Sequence, residues 1–219
     1  MDRVSRHISR ASKIRVVPNF TSSFTGFQNR PQSVQSSFRI LFIGSMGYSA
    51  NIDGVNWFLE RIWSRVLRLV PEAHLQVVGR WNSDYVFTDI HKQPNVEICG
   101  FVEDATNHWK QADAFISPLR LGTGTRIKII EAMSRGVPVV STSVGIEGIN
   151  VLPNVHALIA DTPDHFAHSL LRLKSNPMLR SAMSSASYDL ARSLYSLERV
   201  GQLAASYCLD TILSRLKET

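Results

Sequence analysis

SPLRLGTGTRIKIIEAMSRGVPVVSTSVGIEG, residues 117–148, decides how the rest of the chain is read. It parses as a strand end, a glycine turn at Gly122-Thr123-Gly124, a helix over 125–136 stopped by Gly136, a strand VPVVST at 137–142, and a second glycine turn. The first turn feeds directly into a helix N-terminus, where free backbone N–H groups and the positive dipole end favour phosphate. Arg126 and Lys128 stand in the first turn of that helix. The macrodipole disfavours a cation there by about 0.3–1 kcal/mol. An anion of more than one charge, such as a nucleoside diphosphate, reverses that penalty. The plain alternative is that both side chains reach solvent, or that Lys128 pairs with Glu131 at i,i+3. Glu131 falls on the polar side of the helix once Ile129, Ala132 and Met133 face a sheet. Its two acceptor oxygens suit the vicinal diol of a ribose, although taken by itself a solvated helix glutamate is the better explanation.

Outward from this stretch, apolar strands alternate with helical patterns. FRILFIG (38–44), LQVVG (75–79), NVEICG (95–100), ADAFISP (112–118) and HALIA (156–160) read as further strands. Ile52, Val55, Phe58, Leu59, Ile62, Val66 and Leu69 form one helical stripe, which Asn51 or Asp53 is expected to cap and Pro71 to end. The alternation predicts an α/β fold: a Rossmann-like parallel sheet of about six strands with helices on both faces. Its ligand crevice lies at the loops that begin with Gly44, Gly79, Gly100, Pro118 and Thr142. A carboxyl-terminal helical tail follows, with helices near 163–175, 177–193 and 196–217, the first two separated by Asn176-Pro177.

Composition narrows the class. The 219 residues, 44% apolar and 19% charged, suffice for one α/β core with an appendage. No apolar run approaches the roughly 18–20 residues of a transmembrane span. Cys99 and Cys208 make no disulfide framework, so a reducing, cytoplasmic setting is expected. The net charge is +6, but Arg3, Arg6, Arg10, Lys13, Arg15 and Arg30 against Asp2 concentrate it in residues 1–36. The rest is nearly balanced, and no nucleic-acid partner is implied.

Other chemistry finds little support. His165 and His168 lack a third ligand nearby and read as a surface pair; no metal site is expected. There is no Asp-x-Asp, no P-loop and no G-x-S-x-G elbow. GTGTRI lacks the third glycine of a dinucleotide fingerprint and follows the fourth strand, not the first. Trp57, Trp63, Trp81 and Trp109 read as core or rim packing.

Residues 37–205 resemble the carboxyl-terminal, donor-binding domain of GT-B glycosyltransferases of the family 4 type, the glycosyl transferases group 1. The resemblance rests on ILFIGSM (40–46), NIDGVNWF (51–58), LQVVGR (75–80), VEICGFVED (96–104), GTGTRIKIIEAMSRGVPVVST (122–142) and GIEG (145–148). It implies half of a GT-B fold, moving a sugar from a nucleotide-sugar donor (UDP-, GDP- or ADP-sugar) to a sugar or lipid-linked acceptor, with retention, without metal and without a further cofactor. It places Gly44 and Ser45 under the donor phosphates and Arg80 at the rim of the crevice. Phe101 and Val102 border the base, and Glu131 binds the ribose. Gly122, Gly124, Thr125, Arg126 and Lys128 line the diphosphate, with the two cations stabilising it as it leaves. Two departures stand out. Thr123 occupies the place of the first glutamate in the family's E-x7-E, and the Gly44–Gly47 loop lacks the usual Arg and Lys, for which Arg126 and Lys128 substitute.

The resemblance also implies three parts: residues 1–36 as a remnant of an acceptor domain and linker, 37–195 as the donor-binding domain, and 196–219 as a crossing helix. KIRVVPNF (13–20) matches the last strand and exit of an acceptor domain; an Arg/Ser-rich targeting segment is the alternative. Catalysis then needs a partner, possible as a separate acceptor-domain protein. The other functional reading is a nucleotide or nucleotide-sugar binding module without turnover. A sugar-nucleotide epimerase fits less well, since it needs other acids.

Overall fold

Strand β1 (Phe38–Ile43) sends Phe38, Ile40 and Phe42 into one core and Leu41 into another, and all four are buried. Such two-sided burial is what a central strand of a parallel sheet requires. The computed structural model describes residues 15–24, 37–81, 93–122, 124 and 126–216. In it β1 pairs with β2 (Ala73–Val78) on one side and with β4 (Ala114–Ser117) on the other. β3 (Val96–Gly100) extends the first side, and β5 (Val139–Ser141) and β6 (Ala157–Ile159) the second. All pairings are parallel, in the order β3-β2-β1-β4-β5-β6. This is the Rossmann order, which reverses direction between β1 and β4 and opens its ligand crevice there, beyond the strands' carboxyl ends.

Helix α1 runs through 49–69. It is α-helical at Ser49–Trp57, π-helical over Phe58–Trp63 and α-helical again at Ser64–Leu69. Phe58, Leu59, Ile62 and Trp63 of the π-helical segment are all buried. The expected capping by Asn51 or Asp53 is not seen. The helix begins earlier, after Tyr48, so both residues lie inside it and are used elsewhere: Asn51 Nδ2 donates to the Ser45 carbonyl and Asp53 pairs with Arg120. A further helix, α2 (Thr106–Gln111), was not legible, because TNHWKQ is short and carries no apolar period. Its Trp109 packs against Phe115 of β4, with ring centroids 5.2 Å apart.

Helix α3 (Ile127–Ser134) covers the Leu41 face together with α5 (Pro177–Tyr195), burying Ile129, Ile130, Met133 and Tyr195 with Val139. Helix α4 (Pro163–Ser175) joins α1 on the opposite face, where Phe166 meets Phe58 edge-on at 5.6 Å. Both faces of the sheet are therefore helix-covered. The tail helices start where side-chain caps allow. Thr162 Oγ1 accepts from His165 N, Asn176 Oδ1 from Leu179 N, and Ser196 Oγ from Arg199 N at the start of α6 (Leu197–Leu216).

Residues 15–20 carry no regular secondary structure, unlike the strand expected at this point, which would need a sheet to pair with. Thr21 N donates to the Tyr195 carbonyl and Phe24 meets Tyr188 edge-on at 5.8 Å, both on α5, while the Arg15 guanidinium lies 5.8 Å over Tyr207 of α6. Val16, Val17 and Phe20 are exposed there, as are Leu209, Ile212, Leu213 and Leu216 on α6. Val200, by contrast, is buried. No helix among the described residues is long and apolar enough to cross a membrane. Cys99 and Cys208 are free thiols.

Candidate functional site

The crevice at the β1–β4 switch is walled by the loop after β1, the turn after β4 and the start of α3. Backbone contacts fix the first wall. Gly44 N donates to the Val78 carbonyl at 2.8 Å and Met46 N to the Arg80 carbonyl at 2.9 Å. The exits of β1 and β2 touch so closely that a Cβ on Gly79 would fall 1.8 Å from the Gly44 carbonyl oxygen. Gly79 is thus required by close approach of backbone to backbone.

Gly44 is where the walls converge. A Cβ there would lie 2.9 Å from Asn51 Nδ2, 2.9 Å from Lys128 Nζ and 2.8 Å from the Phe42 ring. The Lys128 ammonium, from the first turn of α3, thus comes to rest against the β1 exit. It stands 6.0 Å from the Phe42 centroid, an arrangement of the cation–π kind. No carboxylate among the described residues, Glu131 included, lies within ion-pair distance of it. Burial holds its pKa down at about 8, and the negative charge of Glu131 opposes that shift.

Arg126 precedes α3 and is only 8% exposed. Its Nη2 donates to the Gly122 carbonyl at 3.1 Å and to the Val144 carbonyl at 3.3 Å. It therefore ties the glycine turn to the loop after β5. The Tyr48 hydroxyl closes on the same turn, 2.9 Å from where a Gly122 Cβ would be. Gly122 and Gly124 both adopt left-handed φ, at 113° and 93°. The neighbouring loop is held by the Thr142 hydroxyl, which donates to the Leu119 carbonyl and accepts from Gly145 N.

The remaining expected residues fall around this centre. Ser45 is exposed at the β1 exit and its Oγ accepts from Gly47 N at 3.3 Å. The Arg80 guanidinium lies 4.9 Å over the Phe101 ring, and Phe101 is 64% exposed, so a flat cation–π platform flanks the crevice. Val102 is half-buried and packs behind it against the core. Glu131 is half-buried on α3. Thr123 and Thr125 lie outside the described residues. His168 Nδ1 bonds the Asp164 carbonyl, and no three His, Cys, Asp or Glu among the described residues group as metal ligands.

Asn51 is the residue whose place sequence reasoning missed. It is 6% exposed and lies in the crevice wall, not at a helix cap. The signal available was a polar residue beside Ile52 and Val55 in an otherwise buried helix start.

Comparison with known proteins identifies the family and the fold. Residues 37–176 match the family described as glycosyl transferases group 1. The chain is 22% identical over 169 residues to an uncharacterised 44.6 kDa protein in the cps region of Klebsiella pneumoniae, covering 74% of this chain and 43% of that protein. Among solved structures it is similar to a mutant of S. aureus TarM in complex with fondaparinux, α-GlcNAc-glycerol and UDP. That match has a TM-score of 0.66 at 19% identity and covers 84% of this chain and 38% of TarM. It is also similar to the C-terminal domain of the group 1 family protein LpcC from Francisella tularensis. Here the TM-score is 0.63 at 18% identity, over 73% of this chain and 87% of that one. At these identities the structural likeness is one of fold, and this chain spans about two fifths of the Klebsiella protein and of TarM.

Proposed function

Because this chain belongs to the glycosyl transferases group 1 family, we propose that it is the donor-binding half of a GT-B glycosyltransferase. It holds a nucleotide-sugar and supports transfer of the sugar to a sugar or lipid-linked acceptor. The observation that carries this is Lys128: a partly buried ammonium at a helix N-terminus, against Gly44, with no carboxylate at ion-pair distance among the described residues. A buried cation left without a counter-ion is unfavourable in the free protein and favourable once a diphosphate arrives.

In this reading the diphosphate sits over Gly44 and Ser45 at the mouth of α3. Lys128 meets its charge directly, and Arg126 holds the Gly122–Gly124 turn in place and lends its own positive charge. The base lies along the Arg80–Phe101 platform, with Val102 behind it. Glu131 accepts from the ribose hydroxyls. When the bond between the anomeric carbon and the diphosphate breaks, the electron pair goes to the leaving phosphate. Fixed cations and helix amides stabilise that charge, the part a metal ion plays elsewhere. The sugar is transferred with retention, and no metal is needed.

The acceptor is supplied from across the crevice by an acceptor-side domain, whether in the same polypeptide or in a separate protein. The exposed apolar side chains of 15–20 and α6 are the surface offered to it.

Calorimetric titration with UDP, GDP, ADP and their sugars, in chelator, tests the reading. UDP is the first choice because TarM was solved with it. Binding in chelator is expected. No binding of any of them at millimolar concentration would overturn the assignment, and binding without transfer in the presence of an acceptor domain would leave a nucleotide-binding module.

A further inference from the structure

We infer that Asn51 is the positioning residue of this site: its neutral amide fixes the β1 exit and occupies the place beside Lys128 that a neutralising carboxylate would otherwise take. The inference rests on the donor-site reading above and deepens it.

The geometry is specific. Asn51 is buried in the first turns of α1, and its Nδ2 donates to the Ser45 carbonyl at 2.8 Å. The same Nδ2 and Lys128 Nζ each lie 2.9 Å from the point where a Gly44 Cβ would project. An amide and an ammonium thus stand as neighbours on one backbone atom, each a nitrogen donor. The bond to Ser45 ties the β1 exit to α1, and the same carbonyl accepts from Tyr48 N at 3.3 Å. An acid at position 51 would differ from asparagine by little in shape and would place a negative charge next to the ammonium. The charged groups around Lys128 are few. Glu131 on its own helix acts on it electrostatically, whereas β1 and α1 present Phe42 and Asn51, which do not ionise.

The test compares the full chain with Asn51→Ala, Asn51→Ser and Asn51→Asp. Pyrophosphate and UDP affinities are measured by calorimetry in chelator from pH 6 to pH 9.5, with thermal melts as a folding control. Asn51→Ala loses one hydrogen bond, so affinity should fall by about 2- to 12-fold. Asn51→Ser keeps a donor and should retain most of the affinity. Asn51→Asp should lose at least about tenfold more than Asn51→Ala, since a unit charge a few ångströms away acts on Lys128 as well. It should also move the pH midpoint of residual pyrophosphate binding upward, which a purely structural role would not do. Asn51→Asp with the affinity and midpoint of Asn51→Ala would overturn the positioning role and leave the donor site standing. If Asn51→Asp does not fold, equal affinities of Asn51→Ala and the unaltered chain would overturn it in the same way. No binding of pyrophosphate or UDP by the unaltered chain would remove the donor-site reading and this inference together.

Discussion

Arg120 and Lys128 flank the same glycine turn and have opposite surroundings. Arg120, on the strand side, makes a two-pronged pair with Asp53 of α1, at 2.5 Å and 3.1 Å, and its guanidinium lies 5.6 Å over Trp57. Its hydrogen bonding to the Asp53 carboxylate raises its pKa further above an already high value. Lys128, on the helix side, meets a ring, a glycine and an amide, and burial lowers its pKa to about 8. The fold cancels the first charge internally and leaves the second for something outside the chain. On the proposed reading, a place beside the glycine turn does not by itself make a cation a ligand for the diphosphate; lack of an internal partner does.

The largest expected effect breaks that contrast at Lys128. Lys128→Met should weaken UDP and pyrophosphate binding by about 10- to 150-fold, the range of a hydrogen bond to a charged group. The same change should raise the melting temperature of the ligand-free protein at pH 7 by a few degrees. The sign follows from the lowered pKa. Below about pH 8 Lys128 is charged in both the folded and unfolded states, and its charge is disfavoured in the folded one. That penalty fades as pH rises from about 8 towards the ordinary lysine value of 10.5, so removing the side chain gains stability at neutral pH. Calorimetry and thermal melts check the two halves. A loss of both affinity and melting temperature would make the lysine a structural residue.

A pH series sharpens the same point without mutation. The complex with a diphosphate holds the lysine proton more tightly than the free protein does. Affinity should therefore be flat with respect to Lys128 below about pH 8, then fall by up to about tenfold per pH unit above it. The decline should disappear in Lys128→Met. A slope that survives the substitution would assign the titration to another group.

What the sequence made legible follows from the same contrast. The parallel sheet, the crevice and the helix beginning near Arg126 were readable because apolar runs, glycines and their spacing are local signals. All six strands expected of the parallel sheet form, each ending within a residue or two of its expected limits, whereas the one expected within 13–20 has no strand over 15–20. Three features were not readable. The π-helical turn at Phe58–Trp63, whose Phe58 meets Phe166 edge-on, interrupts a stripe that the sequence presents as regular. Asn51 reads as a cap until the true helix start at Ser49 is known. Arg126 reads as a ligand cation, yet its buried guanidinium also bonds two backbone carbonyls, one of them in a loop after the next strand. Phe166 and Val144 are distant in sequence from the residues they meet, and pattern reading has no access to them; for Asn51 the misreading is local, a helix start earlier than the spacing suggests.

Glu131→Ala should give a smaller and more selective effect. A carboxylate that accepts from ribose hydroxyls contributes to UDP binding and not to pyrophosphate binding. Loss of about 3- to 10-fold for UDP is expected, with pyrophosphate unchanged or slightly tighter, since Glu131 also bears a negative charge near the lysine. Equal weakening of both ligands would take the ribose role away from Glu131.

The smallest effect belongs to Arg120, and it closes the comparison from the other side. Arg120→Ala removes a surface ion pair whose partners are partly exposed, so stability should change by no more than about 1 kcal/mol. Affinity for pyrophosphate should stay within about twofold, because the charge removed is already balanced by Asp53. Asp53→Asn provides the complementary variant: it frees Arg120 without deleting it. If the lesson of the paired and unpaired cations is right, the freed guanidinium should tighten pyrophosphate slightly, where Arg120→Ala does nothing. If Arg120→Ala weakens pyrophosphate as much as Lys128→Met, an internal salt bridge does not silence a cation at this turn, and counting unpaired charges is the wrong way to find the ligand's partners here.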